Sequence, residues 1–228
     1  KITSVPAKTV ERIAIEFAAT KPAVLDVWSG PGHHSNGVQG GRAIALLAAL
    51  AGGYDKPGTL VIPEKKGNKH MHAHPDEAAK KTLKEKRFDE LKEKYPFGHS
   101  SGVYCQSFSN LAEAKGPYKP KMAMIIFQNP MMSVPGTKTV EKALASLEFV
   151  VVNDILLSET ALMADIVIPG TVYLERYDLN THWVTWPVLG LRQPVVKPIF
   201  GQPAEYEFVT ELGRRLGLKE EHGEDTFW

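Results

Sequence analysis

Apolar residues recur at Val10, Ile13, Ala14, Phe17 and Ala18, the spacing of one helix face, and predict a helix over Thr9–Thr20 that Lys21-Pro22 stops. Ala23–Trp28 is a short apolar run of strand length. The turn-rich stretch Ser29–Gly37 follows it. From Val38 to Leu50 the pattern is helical again and closes at Gly52-Gly53. Strand, glycine loop and helix make the opening half of a βαβ unit.

The later chain repeats this alternation. Met122–Phe127 predicts a buried strand, Gln128–Gly136 a loop, Thr137–Leu147 a helix, and Phe149–Val152 a second strand ended by Asn153-Asp154. Ser158–Ala164 predicts a short helix and Asp165–Pro169 a last strand. The fold class expected is α/β, a parallel sheet with helices on both faces in the manner of dinucleotide-binding domains. Right-handed crossovers then line the strand-end loops along one edge, where such sheets bind ligands.

Pro63–Pro120 differs in kind. Glu64–Lys94 is crowded with Lys, Glu and Asp, and Asp76–Lys94 reads as one solvated helix. With few apolar residues, residues 63–120 are expected to be a charged insertion over the sheet rather than a second core. Residues 1–228 are thus expected to form a single α/β domain. Proline-rich loops (Trp186–Pro203) and a helix over Ala204–Leu216, stopped by Gly217, complete the chain.

Charge and cysteine content narrow the chemistry. Lys plus Arg (27) nearly balances Asp plus Glu (26), a net +1, which argues against a duplex-gripping protein. The one cysteine, Cys105, excludes an internal disulfide and any Cys-based iron–sulfur or Cys-rich zinc site within the chain. No apolar run approaches the ~20 residues that cross a bilayer. Lys1–Lys8, without a starter Met or an apolar signal core, reads as the lead-in to a helix within a longer protein.

Candidate chemistry lies in the loops. Ser29-Gly30-Pro31-Gly32-His33-His34 before a helix suits an anion, because helix N-termini present N–H groups. A tight structural turn would use the same glycines. His33 and His34 can hydrogen-bond a ligand or stand as exposed loop residues, and a side-by-side pair makes a poor metal site. His70, His72 and His74 alternate within the charged stretch, where a solvated segment is the plainer reading. Asn129, Asn153 and Asp154 follow predicted strands. Amides and a carboxylate there can read a base or ribose, with Asp154 matching guanine N1–H and N2–H; Asn and Asp also favour such turns for backbone reasons. Glu175 and Arg176 read as a surface ion pair, and Trp28, Trp183 and Trp186 as packing residues. No nucleophile elbow or hydrolytic carboxylate pair is evident.

Three segments together carry a family resemblance. They are Ser29–Gly58 with its Gly52-Gly53-Tyr54-Asp55-Lys56-Pro57-Gly58 ending, Phe127–Pro135, and Val150–Glu175 with the order Glu159-Thr160-Ala161…Ala164-Asp165…Pro169…Glu175. They resemble the central cofactor-binding domain of molybdopterin oxidoreductases, the group that includes dimethyl sulfoxide reductase. The resemblance implies binding of one of two molybdopterin guanine dinucleotides, which together hold molybdenum through dithiolenes. Carried over by motif, Ser29, Gly30, Gly32 and His33 would contact the pterin–phosphate part. Asn129, Asn153 and Asp154 would hold the nucleotide end, and Arg176 stands where the family often has a basic residue.

The resemblance places the iron–sulfur segment and the molybdenum ligand outside this stretch, so Cys105 is not that ligand. It implies as partners the remaining domains of a catalytic subunit, with iron–sulfur and membrane-anchor subunits, and a periplasmic or otherwise extracytoplasmic location. The sequence looks most like thiosulfate and polysulfide reductases. The chain alone is expected to have no redox activity and to supply no general acid, base or nucleophile. A cofactor-free structural or electron-transfer subunit of the same fold, and a free-standing nucleotide-binding module, are the other functions considered.

Overall fold

The β-branched run Val150-Val151-Val152 suits a pleated surface covered on both sides, and it forms the centre of a parallel sheet. A computed structural model describes residues 3–62, 86–91, 93–95, 102–180 and 190–217. The sheet has three strands in the order β1 (Met122–Ile126), β2 (Phe149–Asp154) and β3 (Ile166–Pro169). Met122 stands opposite Phe149, and Val151 opposite Ile166, so the carboxyl ends of all three strands share one edge. Val150, Val152 and Ala161 form the core, with Ile125, Leu147, Ala164 and Val167 packed against them. Asp165 anchors β3 to β2: its N–H donates to the Val150 carbonyl at 2.9 Å, and its carboxylate accepts the Val150 N–H at 2.7 Å.

The chain divides into two compact units, residues 1–70 with 181–190 and residues 71–180 with 191–228. The first holds α1 (Ala7–Ala19), a 3₁₀ turn at Gly30–Gly32 and α2 (Gly37–Leu50). The expected strand at Ala23–Trp28 is not formed: these residues pair with no strand among the described residues. Trp28, read as a packing residue, is 74 % exposed. Nearly all of α2 is apolar, yet Ala48 alone among its residues is buried, and Leu50 is 87 % exposed. A helix apolar on most sides belongs inside a larger core.

The sheet lies in the second unit. Helix α3 (Tyr104–Ala112) packs against α5 (Thr137–Ala145), which buries Val140, Ala143 and Leu144, an i, i+3, i+4 stripe. Between β1 and α5 the expected loop contains a single helical turn, α4 (Pro130–Ser133). The short helix expected at 158–164 shrinks to a 3₁₀ turn at Ala161–Met163. Strands β4 (Asp178–Asn180) and β5 (Gly190–Arg192) pair separately, and α6 (Glu205–Arg215) follows.

Of the helix expected at Asp76–Lys94, residues 76–85 lie outside the described residues, as do His70, His72 and His74 and both Trp183 and Trp186. Residues 86–91 are not helical: Glu90 has φ +54° and Leu91 is buried. The cause is Asp89, a buried carboxylate held by the Arg87 guanidinium at 2.8 and 2.9 Å. It also accepts the N–H groups of Leu91 and Val103. The Arg87 hydrogen bond, opposed by burial, keeps its pKa well below the usual carboxylate range.

A lowered folded-state pKa adds stability above the unfolded value of about 3.9, and that stability disappears as pH falls through the folded value. Asp89→Asn should therefore cost about 2 kcal/mol at pH 7, a figure already reduced for the partial exposure of Arg87. The gap between wild type and variant should begin to narrow below about pH 4 and go on shrinking as pH falls further. Thermal melts from pH 7 to pH 2.5 test this, and a gap that does not change with pH would remove the charge from the explanation.

Candidate functional site

Three chain reversals meet at the carboxyl edge of the sheet, where backbone polar groups lose their ladder partners. Side chains fill the need. After β1, Asn129 sets its Nδ2 on Glu159 at 2.7 Å and accepts the Thr160 hydroxyl at 2.7 Å. Thr160, fully buried, in turn accepts the Met131 N–H at 3.1 Å. The Asn129 hydrogen bond lowers the Glu159 pKa, so that carboxylate is charged at neutral pH. Asn129 thereby ties the end of β1 to the loop that follows β2.

At the end of β2, Asn153 is only 1 % exposed and donates its Nδ2 to the Ile168 carbonyl of β3 at 3.1 Å. Its Oδ1 is buried without a hydrogen-bond partner among the described residues. Asp154 folds the next turn: one carboxylate oxygen accepts the Ile155 N–H at 2.8 Å and the other the Ser158 hydroxyl at 2.9 Å. Each oxygen keeps acceptor capacity beyond these bonds.

After β3, Gly170 donates its N–H to the Asp154 carbonyl at 3.0 Å. A Cβ there would lie 2.5 Å from the Phe127 ring, so only glycine lets that ring close over the strand ends. Phe127 itself sits at φ +49°, an uncommon conformation for a bulky residue. The Arg176 guanidinium lies 4.9 Å from the Phe127 ring centre, donates to the Thr171 carbonyl at 2.7 Å and faces Glu205 at 3.2 Å. The Oγ1 of Thr171 and the Nε of Arg176 are further buried polar atoms without a hydrogen-bond partner among the described residues.

Glu175 and Arg176 are thus not a surface ion pair. Glu175 is 8 % exposed and accepts the N–H groups of Val172 at 2.9 Å and Ile199 at 3.3 Å, together with the Gln202 amide at 3.3 Å. Its neighbour turns instead toward Phe127 and Glu205.

The predicted site residues therefore fall in two places. Asn129, Asn153, Asp154 and Arg176 gather at the strand ends of the second unit. Ser29, Gly30, Gly32 and His33 belong to the first. There Gly32 donates to Ser29 and His33 to Gly30, closing the 3₁₀ turn, and α2 begins without a side-chain cap. A Cβ on Gly30 or Gly32 would meet nothing within 4 Å. Gly37 is the constrained glycine: its Cβ would run into the Gly32 carbonyl, with the carbonyl carbon at 2.8 Å. Thr160, Phe127, Gly170, Glu175 and Gly37 are not among the site residues that the sequence suggests. Their roles depend on close approaches between positions distant in the chain or across a turn.

The model of the molybdopterin oxidoreductase family matches residues 10–215. The chain belongs to that family. Its fold is similar to the solved structure of acetylene hydratase from Pelobacter acetylenicus, with TM-score 0.70 and 25 % identity over 95 % of this chain and 33 % of that one. In sequence it is 29 % identical to the thiosulfate reductase molybdopterin-containing subunit of Salmonella typhimurium, over 94 % of this chain and 30 % of the relative. It is 30 % identical to the arsenate respiratory reductase molybdopterin-containing subunit of Chrysiogenes arsenatis, over 96 % and 27 %. The chain thus spans about a third or less of the relatives it matches. Family membership implies a molybdenum–pterin cofactor. The strand-end residues fit such a polar group, because Asn153, Thr171 and Arg176 hold buried polar atoms with unused bonding capacity.

Proposed function

We propose that this chain binds the guanine dinucleotide form of the family's molybdenum–pterin cofactor, as part of a longer oxidoreductase that reduces a sulfur compound such as thiosulfate or polysulfide. The observation that carries the cofactor reading is the strand-end cluster. Asp154 has one internal hydrogen bond on each carboxylate oxygen, which fixes its orientation and leaves lone pairs for the N1–H and N2–H of guanine. Asn153 stands behind it, buried, and holds β2 against β3. Asn129 braces the neighbouring loop through Thr160, and Arg176 offers a guanidinium for an anionic or carbonyl group of the ligand.

In the first unit, Gly30 and Gly32 leave open space before an uncapped helix start, an arrangement that suits a phosphate. His33 is exposed on that loop and can donate to it. When bound, the cofactor supplies molybdenum held by dithiolenes, where substrate oxidation or reduction takes place. This chain's residues bind and orient; none is assigned a proton-transfer or nucleophilic step. The thiosulfate reductase subunit among the relatives supports the sulfur-compound substrate. The exposed apolar side of α2 supports further domains of the same polypeptide as partners. Iron–sulfur and membrane-anchor subunits and an extracytoplasmic location complete the proposal. The buried polar atoms left unpaired at the strand ends disfavour a cofactor-free subunit, since each carries a desolvation cost without a purpose.

Asp154→Ala in the full-length enzyme tests the reading. It removes a charge-assisted contact of about 1.5–3 kcal/mol, so the variant should purify folded but depleted in guanine nucleotide and molybdenum. Cofactor content equal to wild type would make Asp154 a turn residue only.

A further inference from the structure

At the amino-terminal edge of the sheet, where no cofactor contact has been assigned, the second unit encloses a partly open cavity of about 360 Å³. The volume lies within the range of small-molecule sites. The cavity lies between the end of α3, the Lys115–Pro120 turn that enters β1, and Ser146 after α5. One strand length, roughly 16 Å at about 3.3 Å per residue, separates it from the residues around Asp154.

Its walls are fixed rather than loose. The Phe88 ring sits against Gly116, whose φ is +126° and whose Cβ would lie 2.5 Å from that ring. Asn110, buried, donates to the Phe88 carbonyl at 2.7 Å and accepts the Gln106 amide at 2.8 Å. Its carbonyl accepts the Lys115 N–H at 2.8 Å. Tyr118 packs on Phe88 with ring centres 5.4 Å apart. The lining is therefore aromatic and aliphatic, and already organised without a ligand.

The charge is one-sided. No carboxylate lines the cavity among the described residues, while Lys115 and Lys119 do. Lys115 is matched by Glu113 at 2.5 Å. Lys119 makes no ion pair or side-chain hydrogen bond among the described residues. A ligand completing this site needs a flat apolar body for Phe88 and Tyr118 and a single negative charge for Lys119.

We propose that the cavity is a second, separate ligand site that takes an aromatic carboxylate, its ring against Phe88 and Tyr118 and its carboxylate on the Lys119 ammonium. The proposal does not depend on how the cofactor is held. The test uses the full-length enzyme with cofactor loaded, and 2-naphthoate as the probe beside its uncharged analogue 2-naphthalenemethanol. Titration calorimetry should show saturable naphthoate binding that Lys119→Gln weakens about three- to tenfold, the effect of one partly exposed charge contact. Tyr118→Ala should weaken both compounds. Both side chains are exposed, so the variants should fold, and unchanged molybdenum content checks that they do. Absence of naphthoate binding, equal affinity for the uncharged analogue, or binding that neither substitution alters would each overturn the assignment.

Discussion

Valine at Gly32 should empty the full-length enzyme of molybdenum while leaving its fold intact, whereas alanine at Gly37, five residues on, should damage the fold itself. The two glycines look alike in sequence and differ in surroundings. A Cβ on Gly32 meets nothing within 4 Å and the residue has no left-handed φ, so the turn tolerates a side chain. Such a side chain would instead project into the space the proposed anion occupies before α2. At Gly37 the first turn of α2 rests on the Gly32 backbone, and backbone cannot rotate aside as a side chain can. Overpacking there should cost about 1–3 kcal/mol. Thermal unfolding of the apo protein, set beside molybdenum content after expression, separates the two effects. If Gly32→Val lowers both to the same degree, the glycine serves the turn and the loop has no ligand role.

The parallel sheet was legible because β2 is a β-branched run of the right length, and because Asn153-Asp154 and Pro169-Gly170 mark where the pairing stops. Ala23–Trp28 has the same apolar character and forms no strand among the described residues. Apolarity reports that a segment avoids water; it does not specify whether a strand, a helix or another part of a longer polypeptide covers it. Leu50 and most of α2 make the same point with a helix that is correctly located and still largely exposed. In the charged stretch, composition favoured a solvated helix, but Arg87 and Asp89 pair two residues apart and bend the chain so that Leu91 is buried. Position after predicted strands marked Asn129, Asn153 and Asp154 as candidates, with a turn role equally open, and the family resemblance supplied the cofactor role expected of them. Their supports were not marked, because Thr160 meets Asn129 across 31 residues and Gly170 meets the ring of Phe127, just past the end of β1.

Glu175→Ala should loosen the edge of the site more than any surface substitution in the second unit. The wild-type carboxylate is buried and gathers the N–H groups of Val172 and Ile199 and the Gln202 amide, joining the loop after β3 to the segment leading into α6. Alanine leaves those donors without an acceptor, at about 1–3 kcal/mol for each one that stays buried. A total near 3 kcal/mol is expected, since solvent entering the gap will satisfy part of the loss. Hydrogen exchange on the full-length protein should then quicken by roughly a hundredfold at 172–175 and 199–204, with β1 and β2 unchanged. Glu175→Gln keeps one acceptor oxygen and should lie between the two. Arg176 depends on the same loop through its bond to the Thr171 carbonyl, so its guanidinium should lose its place over Phe127 as the loop opens. Exchange that stays at wild-type rates in both segments would show that the carboxylate is not what joins them.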